Sequence, residues 1–190
     1  MYPLFRFGFH IWRARRAPPL PLFAVHRSRH ICWPWDLDPW AELNNGRTLT
    51  LFDMGRVPAF ARMGLADAMR AQGWGAALAG VSVRYRQRVR AFDRLDMVSR
   101  LVGWDERFFY VDQSLWRRGI CTTQMLARGA VTAPGGIVAP ARAIAAMGHT
   151  ADSPPMPDWV TAWIAAEALR PWPPEVTPQD TGSPGTAAKP

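Results

Sequence analysis

Residues 36–56 read DLDPWAELNNGRTLTLFDMGR, and the prediction of the fold starts from this stretch. Asp36 and Asp38 stand two apart, just before a segment in which apolar residues recur at helical spacing. That helix is predicted to begin near Asn45 or Gly46. Its first backbone N–H groups lack partners within the helix and carry the positive end of its dipole. Carboxylates and free amides are therefore expected side by side.

The residues alone leave two interpretations of this junction open. In the first, the amides near Asn45 and Gly46 stabilise an oxyanion formed from a carbonyl, while Asp38 or Glu42 supplies a general base or nucleophile. In the second, the same polar residues only cap the helix, which is a common use of Asp and Asn. An isolated DxD or NNG does not distinguish the two.

The complete stretch resembles the signature D-x-D-x-x-G-H-V-N-N-x-x-Y-x-x-x-F-E-x-x-R of the hot-dog thioesterase superfamily, in its 4-hydroxybenzoyl-CoA thioesterase-like group. The residues that match without a gap are Asp36, Asp38, Asn44, Asn45, Phe52, Asp53 and Arg56. The resemblance extends over about residues 23–133, although only its first part carries a specific motif.

The resemblance implies an α+β hot-dog fold, in which an antiparallel sheet wraps around a central helix. It implies hydrolysis of an acyl-CoA thioester, with coenzyme A entering only as part of the substrate and no other cofactor. Subunits would join sheet edge to sheet edge as a homodimer or homotetramer, with active sites at the interface. Asp38 would be the catalytic carboxylate, Asn45 and Gly46 would supply amides to the oxyanion, and Asn44 would contact the substrate.

Two departures from the signature affect the expected chemistry. The Gly-His pair of the family is replaced by Ala41-Glu42, and the usual tyrosine by Thr48. Glu42 offers a second carboxylate, so the choice between Asp38 and Glu42 stays open. A non-catalytic module that binds an acyl group or acyl-CoA is the alternative function.

The remaining periodicity predicts strands and short helices around this centre. A first strand is expected over residues 23–33, and Pro58 is expected to break or kink the central helix, which continues through Ala66 to Ala71. Further strands are predicted at 81–90, 95–104, 108–116 and 121–132, and helices after Pro140 and over Trp159–Leu169. The short connections between the strands favour antiparallel neighbours.

Four alternating arginines are predicted to share one strand face: Arg84, Arg86, Arg88 and Arg90. Such a face is usually solvated, but it could also bind the phosphates of coenzyme A. No histidine, cysteine or serine has the spacing of a metal site or a serine triad, so neither is predicted.

The two ends of the chain are expected to differ from its centre. Residues 1–16 predict a basic amphipathic helix with Phe5, Phe9 and Trp12 on one face, and a proline-rich linker follows at 17–22. That face is expected either to pack on its own domain or a partner subunit, or to lie on a membrane surface. A thioesterase-like domain is predicted over 23–170, and a disordered tail over 171–190.

The net charge of +8 at pH 7 leaves nucleic-acid binding as a weak alternative, which we do not predict. Only one of the 23 basic residues, Lys189, is a lysine, and codon composition explains such a bias as readily as a binding surface does. Two cysteines are too few for a disulfide framework. These features favour a cytoplasmic protein, with contact to the inner face of a membrane as a further possibility.

Overall fold

The computed structural model describes residues 3–176 of the 190-residue chain. The chain divides into a unit that runs to Met156 and a second that begins at Pro157. The helices of the first unit are α1 (Leu4–Arg16), α2 (Asn45–Arg62), α3 (Leu65–Gln72) and α4 (Pro140–Ala146). Its strands are β1 (His26–Ile31), β2 (Gly75–Tyr85), β3 (Arg94–Trp104), β4 (Phe109–Arg117), β5 (Ile120–Ala133) and β6 (Gly136–Val138). The second unit contains α5 (Asp158–Leu169).

The strands form one antiparallel sheet in the order β1-β3-β4-β5-β2, with β6 paired to β5. Two tight connections, between β3 and β4 and between β4 and β5, make the centre of the sheet a meander. The predicted antiparallel arrangement of these three strands is confirmed. The strand β2 lies at one edge, where β5 is its only partner among the described strands.

Helix α2 supplies the layer that covers the sheet. Its buried side includes Leu51, Phe52 and Met54, which join side chains of β3, β4 and β5 in one core cluster. Gly55 faces β3 closely, because an added Cβ there would meet Met97 and Ser99. The α+β fold with a sheet around a central helix is confirmed.

Two outcomes were predicted at Pro58: a break of the central helix, which is wrong, and a kink, which stays a prediction. Helix α2 continues through a buried Pro58 to Arg62, and the change of direction occurs at Gly64, whose φ of +96° is left-handed. Glycine adopts this conformation without the steric cost that a Cβ imposes. The glycine therefore separates α2 from α3.

The strand predicted at 81–90 is displaced toward the N-terminus. Strand β2 begins at Gly75 and ends at Tyr85, where pairing with Thr123 of β5 stops. The alanine- and glycine-rich residues 75–80 carry no alternating pattern, so they were not predicted as strand. After Tyr85 the N–H groups of Arg86 and Gln87 still donate to the carbonyl of Thr122 in β5. The chain then crosses to the loop before α2, where Leu43 N–H donates to the carbonyl of Val89.

The packing of α1 reverses the expected orientation. Arg6 and His10 lie against the body of the unit and Ala14 is buried, whereas Phe5, Phe9 and Trp12 are exposed. The expectation that the aromatic face packs on its own domain is wrong. An ion pair from Arg6 to the buried Asp36 and the stacking of His10 on His30 account for the reversal.

The predicted domain limits at residues 22 and 170 stay predictions. In the segment predicted as a linker, Leu20 and Leu22 are buried, and Leu20 packs with Ala59 and Met63. Of the predicted disordered tail, residues 171–176 are described and exposed, with no helix or strand, while 177–190 lie outside the described residues.

Candidate active site

The loop from Asp36 to Asn44 folds back on itself before α2 begins. Leu37 and Leu43 form an isolated antiparallel bridge, and Asn44 N–H donates to the carbonyl of Asp36. The Asp36 carboxylate is buried and accepts hydrogen bonds from Arg6 and from the Trp33 backbone. Asp36 therefore anchors the loop to α1 and does not line the cleft described below.

The Asp38 side chain is fixed through one of its two oxygens. Oδ1 accepts the backbone N–H groups of Trp40 at 2.9 Å and Glu42 at 3.2 Å. Oδ2 has no hydrogen-bond or ionic partner within residues 3–176. The loop thus holds the carboxylate in place and leaves one oxygen available for chemistry.

Ala41 stands where the family signature has glycine, and its backbone shows why glycine suits the position. Its φ is +57°, in the left-handed region that non-glycine residues rarely adopt. The turn nevertheless closes, since Ala41 N–H donates to the Asp38 carbonyl. The replacement strains the turn without abolishing it.

Glu42 is paired with a cation. Its Oε1 lies 3.0 Å from Nε of Arg88, which belongs to the segment after β2. The pair joins the loop before α2 to the segment after β2. Glu42 and Asp38 therefore differ in electrostatic environment, although they lie only four positions apart in the sequence.

Asn44 is the N-cap of α2. Its Oδ1 accepts hydrogen bonds from Gly46 N–H at 2.9 Å and Arg47 N–H at 3.2 Å. The Gly46 amide, expected to face the oxyanion, is therefore occupied by the cap. Among the described residues, the Asn45 amide has no acceptor, so it is the amide that remains available at this end of the helix.

A cleft of about 210 Å³ brings most of the predicted residues together. It is lined by Asp38, Glu42, Leu43, Asn45, Thr48, Tyr85, Arg86, Gln87, Arg88, Val89 and Thr123. Arg84, Asn44 and Gly46 are not part of this lining. The arginines also do not share a strand face as predicted, since Arg86, Arg88 and Arg90 follow the end of β2.

A second, larger cavity lies further along α2 and has a volume of about 550 Å³. Its lining is mostly apolar, with Phe60 from α2 and side chains of α3, β2, β4 and β5. Asp53 and Arg56 contribute charge and form an ion pair with each other. Burial raises the pKa of Asp53, and the adjacent Arg56 partly opposes that rise.

Sequence reasoning missed three participants in this region: Tyr85, Gln113 and the partnership of Arg88 with Glu42. Gln113 is buried in β4, accepts from Arg56 and donates to the carbonyl of Phe52. A polar residue at a buried strand position was the available signal for Gln113. No comparable signal marks Tyr85, because its place depends on where β2 ends.

The described residues contain no group of three or more histidine, cysteine, aspartate or glutamate side chains arranged to hold a metal ion. No described helix is long and apolar enough to cross a membrane.

Comparison with known families gives a match to the family model described as the thioesterase-like superfamily, over residues 32–164. Curated relatives named Protein THEM6 are similar over a shorter stretch. The Xenopus laevis protein is 36% identical over 104 residues, covering 54% of this chain and 50% of that protein. The Danio rerio protein is 30% identical over 95 residues, covering 49% and 47%. The chain thus spans about half the length of the curated relatives it matches.

Solved structures with a similar fold have low sequence identity. The DHNA-CoA thioesterase of Staphylococcus aureus superposes with a TM-score of 0.57 at 15% identity, covering 76% of this chain and 92% of that chain. Slr0204, a 1,4-dihydroxy-2-naphthoyl-CoA thioesterase of Synechocystis, gives a TM-score of 0.52 at 13% identity, with coverages of 76% and 98%. At these identities the likeness shows the fold alone.

Proposed function

This chain belongs to the thioesterase-like superfamily, and from that membership and the cleft at the N-terminus of α2 we propose that it hydrolyses an acyl-CoA thioester. The products are a carboxylic acid and free coenzyme A. One observation carries the proposal: Oδ2 of Asp38 and the amide of Asn45, both without a partner among residues 3–176, belong to residues that line the same cleft. A base beside a free helix-end N–H is what acyl transfer to water requires.

In the proposed reaction the thioester carbonyl lies against the Asn45 N–H. Asp38 either attacks the carbonyl carbon directly or removes a proton from a water molecule that attacks it. Negative charge then develops on the carbonyl oxygen, where the amide and the positive end of the helix dipole stabilise it. The C–S bond breaks and the sulfur takes up a proton. When water is the attacking group the acid is released at this step, and after direct attack a water molecule first hydrolyses the anhydride formed between the acyl group and Asp38.

We assign the catalytic carboxylate to Asp38 and a positioning role to Glu42. A carboxylate oxygen that already contacts an arginine is less available to a substrate or a water molecule. Glu42 has such a partner in Arg88, whereas Oδ2 of Asp38 has none among residues 3–176. Glu42 then holds Arg88 at the rim of the cleft.

Arg86 and Arg88 are proposed to bind the phosphates of coenzyme A. Both line the cleft and are exposed, and guanidinium groups recognise phosphate through charged hydrogen bonds. Arg84 is also exposed but does not line the cleft, so its contribution is confined to attracting the anionic substrate.

The apolar cavity is the proposed site of the acyl group. Asn45, Leu49, Asp53, Arg56 and Phe60 recur every three or four residues, so they follow one side of α2. This side runs from the cleft, lined by Asn45, to the cavity, lined by the last three. Along the helix axis Asn45 and Asp53 are about 12 Å apart, the length of a medium acyl chain.

The outer edge of β2 is the proposed contact with a second copy of the chain. No described strand pairs with that edge, and an unpaired edge exposes backbone donors and acceptors. Edge-to-edge joining there would bring a second copy beside Tyr85, which lines the cleft. The proposed active unit is therefore a homodimer or a tetramer of such dimers.

Release of free thiol from a series of acyl-CoA esters of increasing chain length tests the proposed reaction. We expect turnover that depends on chain length, since the apolar cavity has a limited volume. The alternative is a non-catalytic module, which would bind acyl-CoA in calorimetry while releasing no thiol from any ester. If the protein neither binds nor hydrolyses any acyl-CoA ester, both proposals are contradicted.

A further inference from the structure

Helix α1 presents an apolar surface to solvent. The four residues Leu4, Phe5, Phe9 and Trp12, here called the aromatic face, are 70%, 97%, 54% and 52% exposed. Phe5, Phe9 and Trp12 recur every three or four residues and so follow one side of the helix, and Leu4 precedes them at its first turn. Exposed apolar patches rimmed by charge are typical of sites that contact a protein or a membrane.

The opposite side of α1 is held in place, so this exposure is a property of the packed helix. Nη1 of Arg6 lies 2.7 Å from Oδ2 of Asp36, and Nη2 of Arg6 donates to the carbonyl of Ile31 at 2.9 Å. Phe7 packs against the main core cluster, and Ala14 is buried. The buried ion pair thus prevents the helix from rotating its aromatic face inward.

The charged residues of α1 itself are all basic. Helix α1 contains no acidic residue, and Arg13, Arg15 and Arg16 are exposed in its last turn. The guanidinium of Arg16 lies 3.8 Å from the centre of the Trp12 ring, and that of Arg13 lies 5.8 Å from the Phe9 ring. Arginines stacked on aromatic rings place a cation beside an apolar group, an arrangement suited to an anionic and partly apolar partner.

The surface continues beyond the helix. Phe9 and Trp33 line one groove of about 570 Å³ together with Arg29, Arg94 and Asp96, and the Asp96 carboxylate pairs with Arg29 at 3.3 Å, so the groove keeps a net positive charge. Trp33 in turn stacks on Trp35, with ring centres 5.2 Å apart. Tryptophan, phenylalanine and arginine side by side are the composition of segments that lie at the boundary between lipid headgroups and acyl chains.

We propose that the aromatic face of α1 docks on the surface of an anionic phospholipid bilayer. Phe5, Phe9 and Trp12 insert at the level of the headgroups, and Arg13, Arg15 and Arg16 contact the lipid phosphates. The 13-residue helix is too short to span a bilayer, so it lies along the surface. A second copy would bring the same three arginines and no acidic residue on α1, so charge complementarity favours the anionic lipid.

This proposal is independent of the reaction, and vesicle flotation of the full chain tests it without a substrate. We expect flotation with vesicles of phosphatidylcholine and phosphatidylglycerol, and much less with phosphatidylcholine alone. The triple variant Phe5→Ser, Phe9→Ser and Trp12→Ser should lose more than roughly tenfold in partitioning, because its apolar side chains no longer enter the bilayer. Replacing Arg13, Arg15 and Arg16 by Gln should weaken binding to anionic vesicles roughly fivefold for each arginine.

Trp172→Ser is the control for loss of an exposed tryptophan, because Trp172 is 88% exposed and lies outside α1. It should float as the wild type does. All replaced side chains are exposed, so circular dichroism should report an unchanged fold. The proposal is overturned by absence of flotation with anionic vesicles, by equal flotation with neutral vesicles, or by unchanged flotation of the aromatic variant. A lower oligomer mass of that variant, without vesicle binding by the wild type, would assign the face to a second copy.

Discussion

Nη1 of Arg6, in α1, lies 2.7 Å from Oδ2 of Asp36, in the turn that leads to the Asp38 loop. The Asp36 side chain is 2% exposed, and its Oδ2 also accepts the Trp33 N–H at 3.0 Å. Asp36, the first aspartate of the signature, thus has a structural role, while Asp38, the second, remains available for chemistry. One ion pair connects the N-terminal helix to the base of the candidate site.

Substituting Arg6→Gln should lower the free energy of unfolding by about 3 kcal/mol, because it leaves the Asp36 carboxylate buried beside a neutral group. Urea denaturation measures this change. Arg15→Gln is the control, since Arg15 is exposed on the same helix and its loss should cost less than about 0.5 kcal/mol. Equal stabilities of the two variants would show that the ion pair is dispensable.

Gly55→Ala should destabilise the protein by about 1–3 kcal/mol, since the new methyl group would overpack against β3. Its Cβ would stand 2.9 Å from the Ser99 hydroxyl and would also meet the sulfur of Met97. Gly8→Ala in α1 is the matched control, because nothing lies within 4 Å of its Cβ. That control should be neutral or stabilising by up to about 1 kcal/mol, as alanine favours helix. Thermal melts distinguish the two, and a stable Gly55→Ala would contradict the close packing of α2 on β3.

Three histidines, His10 of α1 and His26 and His30 of β1, predict lower stability in acid. Burial lowers the pKa of His10 and His26 to about 4 and that of His30 to about 3. The nearby charges add to this, from Arg13 and Arg6 at His10, Arg62 at His26, and His10 and Arg6 at His30.

Between pH 6.5 and about 4 the unfolded chain binds protons that the folded chain does not, so stability falls as the pH falls through this range. The stability that the neutral histidines contribute is fully present above pH 6.5. Urea midpoints measured from pH 7.5 to 4.5 check the trend, and His10→Gln should reduce its slope. A slope unaffected by that substitution would rule out a contribution from His10.

Asn44→Ala should remove the cap of α2 and cost about 1 kcal/mol of stability, since Gly46 and Arg47 lose their acceptor. If the cap also orients the helix end, the turnover number kcat for thioester hydrolysis should fall with it. Asn44→Asp keeps an acceptor oxygen and should preserve stability. A stable Asn44→Ala variant would contradict the capping role.

The sequence was sufficient for the centre of the fold, because the signature predicts the start of α2 and the strand-like runs with short connections in 95–132 predict three strands. It was insufficient where local pattern and packing disagree. Pro58 looks like a helix breaker, yet α2 continues to Arg62. The aromatic side of α1 looks like the buried side, yet Arg6 turns it outward by pairing with Asp36.

Part of the cleft lining was predictable from the sequence, and the contacts between its residues were not. Asp38, Glu42 and Asn45 do line one cleft. The pairing of Glu42 with Arg88 depends on where β2 ends, which its alanine- and glycine-rich start conceals. The Gly46 amide donates its hydrogen bond to Oδ1 of Asn44. This contact depends on side-chain geometry, which the spacing of residues in the sequence does not predict.

The most direct test of the account compares Asp38→Asn with Glu42→Gln in steady-state hydrolysis of the best acyl-CoA ester. Both substitutions remove one negative charge at nearly constant volume, so each serves as the control for the other. The account predicts that Asp38→Asn lowers kcat by roughly 100-fold or more, because the base is lost. Glu42→Gln should mainly raise KM, because Arg88 loses its anchor. A kcat that survives Asp38→Asn and collapses in Glu42→Gln would contradict the central claim.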